Sequence, residues 1–184
     1  MTREKALQLL KQEVKTKNLR KHVLAVEAVM RELADYFDKD KEKWGLAGLL
    51  HDIDYEKTKD EPEKHSIQGA KMLKEKGLSE DIIHAVKAHN KIHGIPLNSL
   101  MDKALFVSDP ITGLIVAATL VLPSKKIKDL KAENVLNRFN EKNFAKGADR
   151  EVIAKCKPFL GLDLKDFIAI SLRAMQKINK DLGL

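Results

Sequence analysis

Apolar residues recur at helical spacing along most of the chain. In the first segment Ala6, Leu9, Leu10 and Val14 fall on one side of a helix, because residues three and four positions apart lie on the same face. No segment shows the sustained alternation of apolar and polar residues that is typical of strands. We therefore predict an all-α fold with helices at about residues 2–15, 19–37, 44–50, 64–76, 80–90, 98–122, 131–140, 148–157 and 163–180.

The breaks in this pattern carry local signals of their own. Gly77 ends one predicted helix, and Ser79 is the predicted N-cap of the next. Residues 54–63 are polar and include a proline, so a loop is expected there. Pro110 stands inside the long apolar helix. Because proline has no backbone N–H, this helix should kink or restart at Pro110.

Length and composition favour one domain over residues 1–184, since the chain has 184 residues and no clear linker or repeat. Hydrophobic residues make up 43% and aromatic residues only 5%, so the core should be mainly aliphatic. The net charge of +7 suits an anionic partner such as a phosphate compound or a nucleic acid. A lysine-rich solvated surface explains this charge more simply. No clear nucleic-acid-binding motif is present.

Three features predict a cytoplasmic location. The single cysteine, Cys156, excludes an intramolecular disulfide, agrees with a reducing compartment and is expected to be a free thiol. The N-terminal segment is amphipathic and does not resemble a signal peptide. The longest uncharged stretch, Pro110 to Ser124, is too short to span a bilayer, so no membrane partner is expected.

Histidines and aspartates interrupt the apolar pattern. The apolar segment Trp44–Leu50 leads directly into His51 and Asp52, and buried charges are costly unless they are paired or bind a metal. Helical spacing places three further histidines on apolar faces, and one aspartate stands within the long apolar helix. These four residues are His22, His65, His89 and Asp109.

The other two histidines are expected to lie away from this cluster. His84 is rotated by roughly 140° from His89 on the same helix and should face outward. His93 lies in a predicted loop. Six inward-facing polar residues are not expected to converge by chance, so the pattern predicts a functional site.

The residue types of this cluster predict a metal site. Imidazole and carboxylate together suit Mn, Fe, Co, Ni or Zn, and the carboxylates also allow Mg. We expect one or two divalent ions, because Asp52 has two oxygens and can bridge a pair. Bound metal lowers the pKa of water, and a metal pair can hold a phosphoryl group during its displacement.

The order His22, His51-Asp52, Asp109 resembles that of the HD-domain superfamily of metal-dependent phosphohydrolases. The resemblance covers about residues 18–122, and residues 123–184 carry none of its motifs and should pack on that core. Residues 65–70 and 83–89 are similar to the helices that follow the His-Asp pair in the HDIG-like branch. The resemblance implies a helical bundle in which His22, His51, Asp52 and Asp109 hold one metal. It also implies that His65 and His89 complete a binuclear site bridged by Asp52.

The chain departs from the better-known branches after Asp52. Asp54 stands where many HDIG members have glycine, and Tyr55 stands where some members have a phosphate-binding lysine or a catalytic glutamate. His89-Asn90 replaces the histidine pair of the cyclic-dinucleotide branch, whose Gly-Tyr-Pro signature is missing. Hydrolysis of cyclic-di-GMP is therefore not expected.

The general acid and the substrate contacts stay open at this stage. Asp54, Glu56 and His84 are candidates for the acid, although Asp54 is better interpreted as a capping or solvated loop residue. Five lysines are candidates for phosphate binding, and the two nearest to the His-Asp pair along the sequence are preferred. They are Lys57, Lys59, Lys125, Lys126 and Lys128.

The expected function is metal-dependent hydrolysis of a small phosphorylated substrate, with a nucleotide as the leading candidate. Asp52 is the expected catalytic residue because it would hold the metals that activate water. Two alternatives remain: a di-iron oxygenase of the same superfamily and a non-catalytic, metal-stabilised binding module. The ligand set permits all three functions.

Overall fold

Apolar stripes at helical spacing become twelve α-helices in the computed structural model, which describes all 184 residues. Two short 3-10 helices, Lys91–His93 and Ile127–Asp129, lie between them, and there is no strand. The all-α prediction is confirmed. The helices are α1 (Arg3–Glu13), α2 (Lys17–Tyr36), α3 (Lys41–Leu50), α4 (Tyr55–Thr58), α5 (Ile67–Glu75), α6 (Glu80–Ala88), α7 (Leu100–Leu120), α8 (Ala132–Asn140), α9 (Arg150–Ile153), α10 (Cys156–Leu160), α11 (Leu164–Lys177) and α12 (Asn179–Leu182).

Helix α2 lies at the centre of the packing and contacts α3, α7 and α11. The contact with α3 is close at Gly48, where an added Cβ would lie 2.9 Å from the Cα of Glu27. A contiguous core of 47 buried apolar residues joins the N-terminal helices to the C-terminal ones, as Leu33, Leu105 and Phe167 illustrate. Burial of this aliphatic surface is the main force that holds the helices together.

A buried ion-pair cluster connects the first three helices. Glu27 of α2 is only 2% exposed and accepts hydrogen bonds from Arg3 of α1 and Arg31 of α2. Arg31 also donates to both carboxylate oxygens of Glu42 in α3. A buried carboxylate needs such partners, because an unpaired one would be strongly destabilising.

Several helix boundaries differ from the predictions. The predicted loop over 54–63 contains α4, and the helix predicted from residue 64 begins only at Ile67. The predicted helix over 148–157 divides into α9 and α10. Pro158 explains this break, because it has no N–H to donate to the carbonyl of Ala154. Pro110 was expected to kink the long helix or to restart it. Helix α7 continues through Pro110 without ending there.

Helix α7 is largely buried, and its start is well defined. Ser99 accepts a hydrogen bond from the N–H of Asp102, and Asp102 accepts one from the N–H of Ser99, which forms a capping box. By length and composition alone α7 could cross a membrane, but 56% of its apolar window is buried inside the protein. The cytoplasmic location stays a prediction. Cys156, at the start of α10, is a buried free thiol whose pKa is raised by burial.

Candidate metal centre

His51 lies at the end of α3, an apolar helix that places it in the protein interior. Its side chain is fully buried, and its Nδ1 donates to the carbonyl oxygen of Gly48 at 2.8 Å. This bond fixes the tautomer, so the lone pair of Nε2 points away from the helix. The Nε2 atom is buried and has no hydrogen-bond partner. A buried nitrogen without a partner is costly unless a ligand such as a metal ion completes it.

Three further histidines have their Nδ1 atoms fixed in the same way, each by a different element. His22 of α2 donates to the hydroxyl of Thr112, which itself donates to the carbonyl of Asp109. His65 donates to a carboxylate oxygen of Asp54 at 2.9 Å, and His89 donates to a carbonyl of α6 at 2.6 Å. Such bonds orient metal-binding imidazoles in known metal sites. All four Nε2 atoms are thereby turned towards one point.

The carboxylate of Asp52 occupies that point. Its Oδ1 lies 3.5 Å from Nε2 of His51, 3.3 Å from Nε2 of His65 and 3.5 Å from Nε2 of His89. Its Oδ2 lies 3.7 Å from Nε2 of His22. One carboxylate therefore faces all four imidazoles, with its two oxygens directed towards different histidines.

Asp109 of α7 closes the cluster on one side. Its Oδ1 lies 3.0 Å from Nε2 of His22 and 3.9 Å from Nε2 of His51. The structure thus brings together all six residues predicted from the sequence. Metal binding by these residues remains a prediction.

Asp54 was interpreted as a capping or solvated loop residue. It does occupy the N-cap position of α4, but its side chain does not cap that helix and is not solvated. Its side chain is fully buried, and its carboxylate accepts hydrogen bonds from Nδ1 of His65 and from the backbone N–H of Gly69 at 2.7 Å. An added Cβ at Gly69 would lie 3.2 Å from Cγ of Asp54, so a larger residue would crowd the carboxylate. Asp54 is therefore a positioning residue for His65.

His65 itself precedes α5 and lies in a turn, whereas helical spacing predicted that it lies on a helix. The next residue, Ser66, is buried with a φ of 70°, a conformation that is costly for a residue other than glycine. The side chains of Asn90 and His93 both donate to the carbonyl oxygen of His65. The chain after α6 therefore holds the turn in place. Helical spacing gives no signal for such contacts, so they could not be predicted from the sequence.

Burial and mutual contacts shift the pKa values of several residues in the cluster. Burial lowers the pKa of His51. Burial also opposes protonation of His65, but hydrogen bonds to Asp52 and Asp54 outweigh it and raise its pKa to about 9. Burial opposes ionisation of Asp52, but the charge of His51 and hydrogen bonds from neighbouring histidines hold its pKa well below its usual value. A metal ion that binds these groups must displace a proton, so its affinity should fall as the pH falls.

The donor geometry fits a divalent cation. Two groups of three side chains have ligand atoms within 4.8 Å of one another: His22, His51 and Asp109, and His51, Asp52 and His89. Nitrogen and carboxylate donors together suit Mn, Fe, Co, Ni or Zn. The buried and unpartnered Nε2 of His51 supports this fit, because a metal would supply the partner that the protein does not.

A family model for the HD domain matches residues 19–150, well over half of the chain. The chain belongs to the HD domain family. This family comprises metal-dependent phosphohydrolases, and its members bind divalent metals. The match extends beyond residue 122, where the motifs recognised in the sequence end, and so includes α8.

Relatives of this HD domain carry several different names. Ribonuclease Y of Lawsonia intracellularis is 33% identical over 142 residues, which cover 74% of this chain and 27% of that protein. The symmetrical bis(5'-nucleosyl)-tetraphosphatase of Halalkalibacterium halodurans is 30% identical over 134 residues, covering 60% of this chain and 69% of that protein. The tRNA (cytidine(56)-2'-O)-methyltransferase of Picrophilus torridus is 28% identical over 170 residues, covering 89% of this chain and 48% of that protein. The chain spans about a quarter of the length of the ribonuclease Y relatives.

His84 and Glu56, two candidates for the general acid, make contacts outside the six-residue cluster. His84 is one-third exposed and lies against the buried carboxylate of Asp102, with Nδ1 and Oδ2 2.9 Å apart. It is therefore neither in the cluster nor fully outward-facing. Glu56 accepts from the backbone N–H groups of Lys15 and Thr16.

The lysines preferred from the sequence, Lys57 and Lys59, do not line the cavity beside the cluster. Lys57 forms an ion pair with Glu13, and Lys59 is exposed. The cation that lines the cavity next to the cluster is Lys91, which pairs with Asp149 at 2.5 Å. Tyr55, at the position of the family's lysine or glutamate, packs its ring edge-on to His65 with 5.3 Å between centroids.

Proposed function

We propose that this HD domain is a metal-dependent phosphohydrolase acting on a nucleotide or another small phosphate ester. One observation carries the proposal: four imidazoles, each oriented through Nδ1, face the two oxygens of Asp52. Such orientation of ligands is what a metal site requires. The names of ribonuclease Y and the tetraphosphatase, both hydrolases of phosphate bonds, support the reaction class.

Each residue of the cluster has a proposed role. His22, His51, Asp52 and Asp109 would hold one ion, and His65 and His89 would hold a second ion bridged by Asp52. The metal would supply a water of lowered pKa and positive charge beside the phosphoryl oxygens. Asp54 keeps Nε2 of His65 directed inward, and Thr112 does the same for His22. The buried side of the site excludes solvent and strengthens every one of these interactions.

Metal content and turnover test the proposal together. Elemental analysis of the purified protein should find a divalent metal, and a panel of nucleotides and phosphate esters should be hydrolysed with Mn, Co, Ni or Mg. Asp52→Ala should lose most of the metal and all measurable hydrolysis, because it removes the carboxylate that faces four histidines. His84→Ala is the matched control and should keep its metal content. Retention of both metal and activity by Asp52→Ala would overturn the assignment.

The same preparation separates the two alternative functions. Iron loading under anaerobic conditions, followed by addition of oxygen, should give no substrate-dependent oxygen uptake. Uptake of oxygen without phosphate release would identify an oxygenase. Full metal occupancy without hydrolysis of any panel member would identify a binding module whose metal serves the fold.

A further inference from the structure

Helix α7 has one open face, and this face runs past the metal centre. Most of the helix is buried, but residues three or four positions apart form a partly exposed strip along it. The strip consists of Phe106, Asp109, Pro110, Gly113, Val116, Ala117 and Leu120. From Phe106 to Leu120 it extends about 21 Å along the helix axis, at about 1.5 Å per residue.

Four cavities follow this strip in order, and each shares lining residues with the next. Their volumes are about 340, 260, 260 and 470 Å³. Phe106 lines the first two cavities, Asp109 lines the second and third, and Gly113 lines the third and fourth. The six-residue cluster thus opens into the middle of a groove. We name its two ends the Phe106 arm (the first cavity) and the Leu120 arm (the fourth cavity).

Both arms offer apolar surface, and neither gathers an excess of positive charge. In the Phe106 arm the rings of Phe106 and Phe159 meet edge-on, with 6.2 Å between centroids. Its charged lining residues are two lysines and two acids, which balance in charge: Lys91, Lys155, Asp149 and Glu151. The Leu120 arm is lined by residues such as Val116 and Leu120, with Lys21 as its cation. Such surfaces suit uncharged organic groups better than a chain of phosphates.

A substrate that fills such a groove must extend in two directions from the reacting phosphorus. A phosphomonoester carries one organic group and can occupy one arm only. We propose that the substrate is a phosphodiester, with one organic group in the Phe106 arm and the other in the Leu120 arm. This inference rests on the proposed phosphohydrolase function and specifies its substrate class.

The chemistry is a balanced hydrolysis. The oxygen of a water molecule forms a bond to phosphorus, and the P–O bond to one organic group breaks. One proton of the water passes to the leaving oxygen, and the products are an alcohol and a phosphomonoester. No oxidant or other co-reactant is needed.

Matched substrates test the proposal in the metal-loaded protein. Bis(p-nitrophenyl) phosphate is compared with p-nitrophenyl phosphate, and a dinucleoside monophosphate with a nucleoside 5'-monophosphate and a dinucleoside tetraphosphate. The diester of each set should be hydrolysed with a kcat/KM at least about tenfold higher than its counterparts. Preference for the monoester or the tetraphosphate would overturn the diester proposal and leave phosphohydrolysis standing. Absence of hydrolysis of every compound would overturn the proposed function itself.

Gly113 allows the groove to be narrowed without disturbing the core. An added Cβ at this position meets no atom within 4 Å, so a larger side chain projects into the groove where the third cavity meets the Leu120 arm. Gly113→Phe should lower the diester-to-monoester ratio of kcat/KM by about tenfold or more, mainly through KM. Gly113→Leu should give a smaller change in the same direction.

A matched aromatic substitution far from the groove controls for surface effects. Gln8 is exposed on α1, and Gln8→Phe should leave the diester-to-monoester ratio of kcat/KM unchanged. Metal content and melting temperature of each variant show whether it is folded. A Gly113→Leu or Gly113→Phe protein that keeps its metal and the parental ratio would overturn the two-arm assignment.

Discussion

At the residue scale, the hydrogen bonds to the Nδ1 atoms of the histidines determine how the imidazoles of the cluster are oriented. Asp54 receives one hydrogen bond from His65 and another from Gly69, and it is fully buried. We expect Asp54→Asn to weaken metal binding by about 10- to 100-fold, because loss of the carboxylate leaves His65 free to change orientation. Metal titration monitored by calorimetry measures this effect.

Asp60 provides the control for that substitution, since it is an exposed acid of the following turn. Asp60→Asn should bind metal as the parent does. Equal metal affinity of Asp54→Asn and the parent would show that His65 is held by the turn alone, through Asn90 and His93.

Sequence patterns could identify the six residues of the cluster but not the residues that orient them. His22 and His89 were found because apolar neighbours at helical spacing reveal which face is buried. Asp54 was misread because its burial depends on α5, which is separated from it by a polar stretch. The donation from Asn90 and His93 to the His65 carbonyl likewise joins segments that are distant in sequence.

At the element scale, the helices of nine or more residues were predicted close to their observed bounds, whereas the four- and five-residue helices were not. Helices α2, α7 and α11 fall close to their predicted bounds, since their buried faces span many turns. Helix α4 has only four residues, too few for periodicity to appear. A tertiary contact accounts for its position: Glu56 of α4 accepts hydrogen bonds from the chain just before α2.

This contact predicts a pH-dependent stability. Hydrogen bonds from Thr16 and the backbone of Lys15 lower the pKa of Glu56 from 4.5 to about 2. A folded-state pKa below the unfolded one stabilises the protein above about pH 4.5, and the stabilisation is lost as the pH falls towards 2. We expect Glu56→Ala to cost about 1 kcal/mol at pH 7, the usual value of a helix-capping interaction.

Denaturant unfolding at a series of pH values measures the difference in the free energy of unfolding between Glu56→Ala and the parent. The gap between Glu56→Ala and the parent should be constant from pH 7 to about pH 5 and should shrink below that range. Glu63→Ala is the control, because Glu63 is an exposed acid of the neighbouring turn. A gap that is independent of pH would show that the charge of Glu56 contributes nothing.

At the scale of the whole molecule, one continuous core joins the cluster to both ends of the chain. His22 and Asp109 project from α2 and α7, and His51 and His89 directly follow the last residues of α3 and α6. The geometry of the metal centre therefore depends on how α2 and α3 sit against each other. The buried cluster around Glu27 sets part of that arrangement, since it joins α2 to α1 directly and to α3 through Arg31.

Removal of Glu27 should therefore destabilise the entire fold. Glu27→Ala leaves Arg31, whose side chain is 17% exposed, without one of its two carboxylate partners. Breaking a buried pair costs about 3–5 kcal/mol, and we expect a value near the lower end because Arg3 is 42% exposed and can be rehydrated. Urea unfolding gives the free energy directly, and the loss should appear in a single transition that also releases bound metal.

Glu141 offers a matched comparison on the surface. It pairs with Arg138 three residues earlier, and both side chains are more than a third exposed. Glu141→Ala should change the free energy of unfolding by no more than about 0.5 kcal/mol, because solvent screens exposed pairs. If the two variants were equally stable, the Glu27 cluster would be dispensable, and packing of apolar residues alone would hold α1, α2 and α3 around the metal centre.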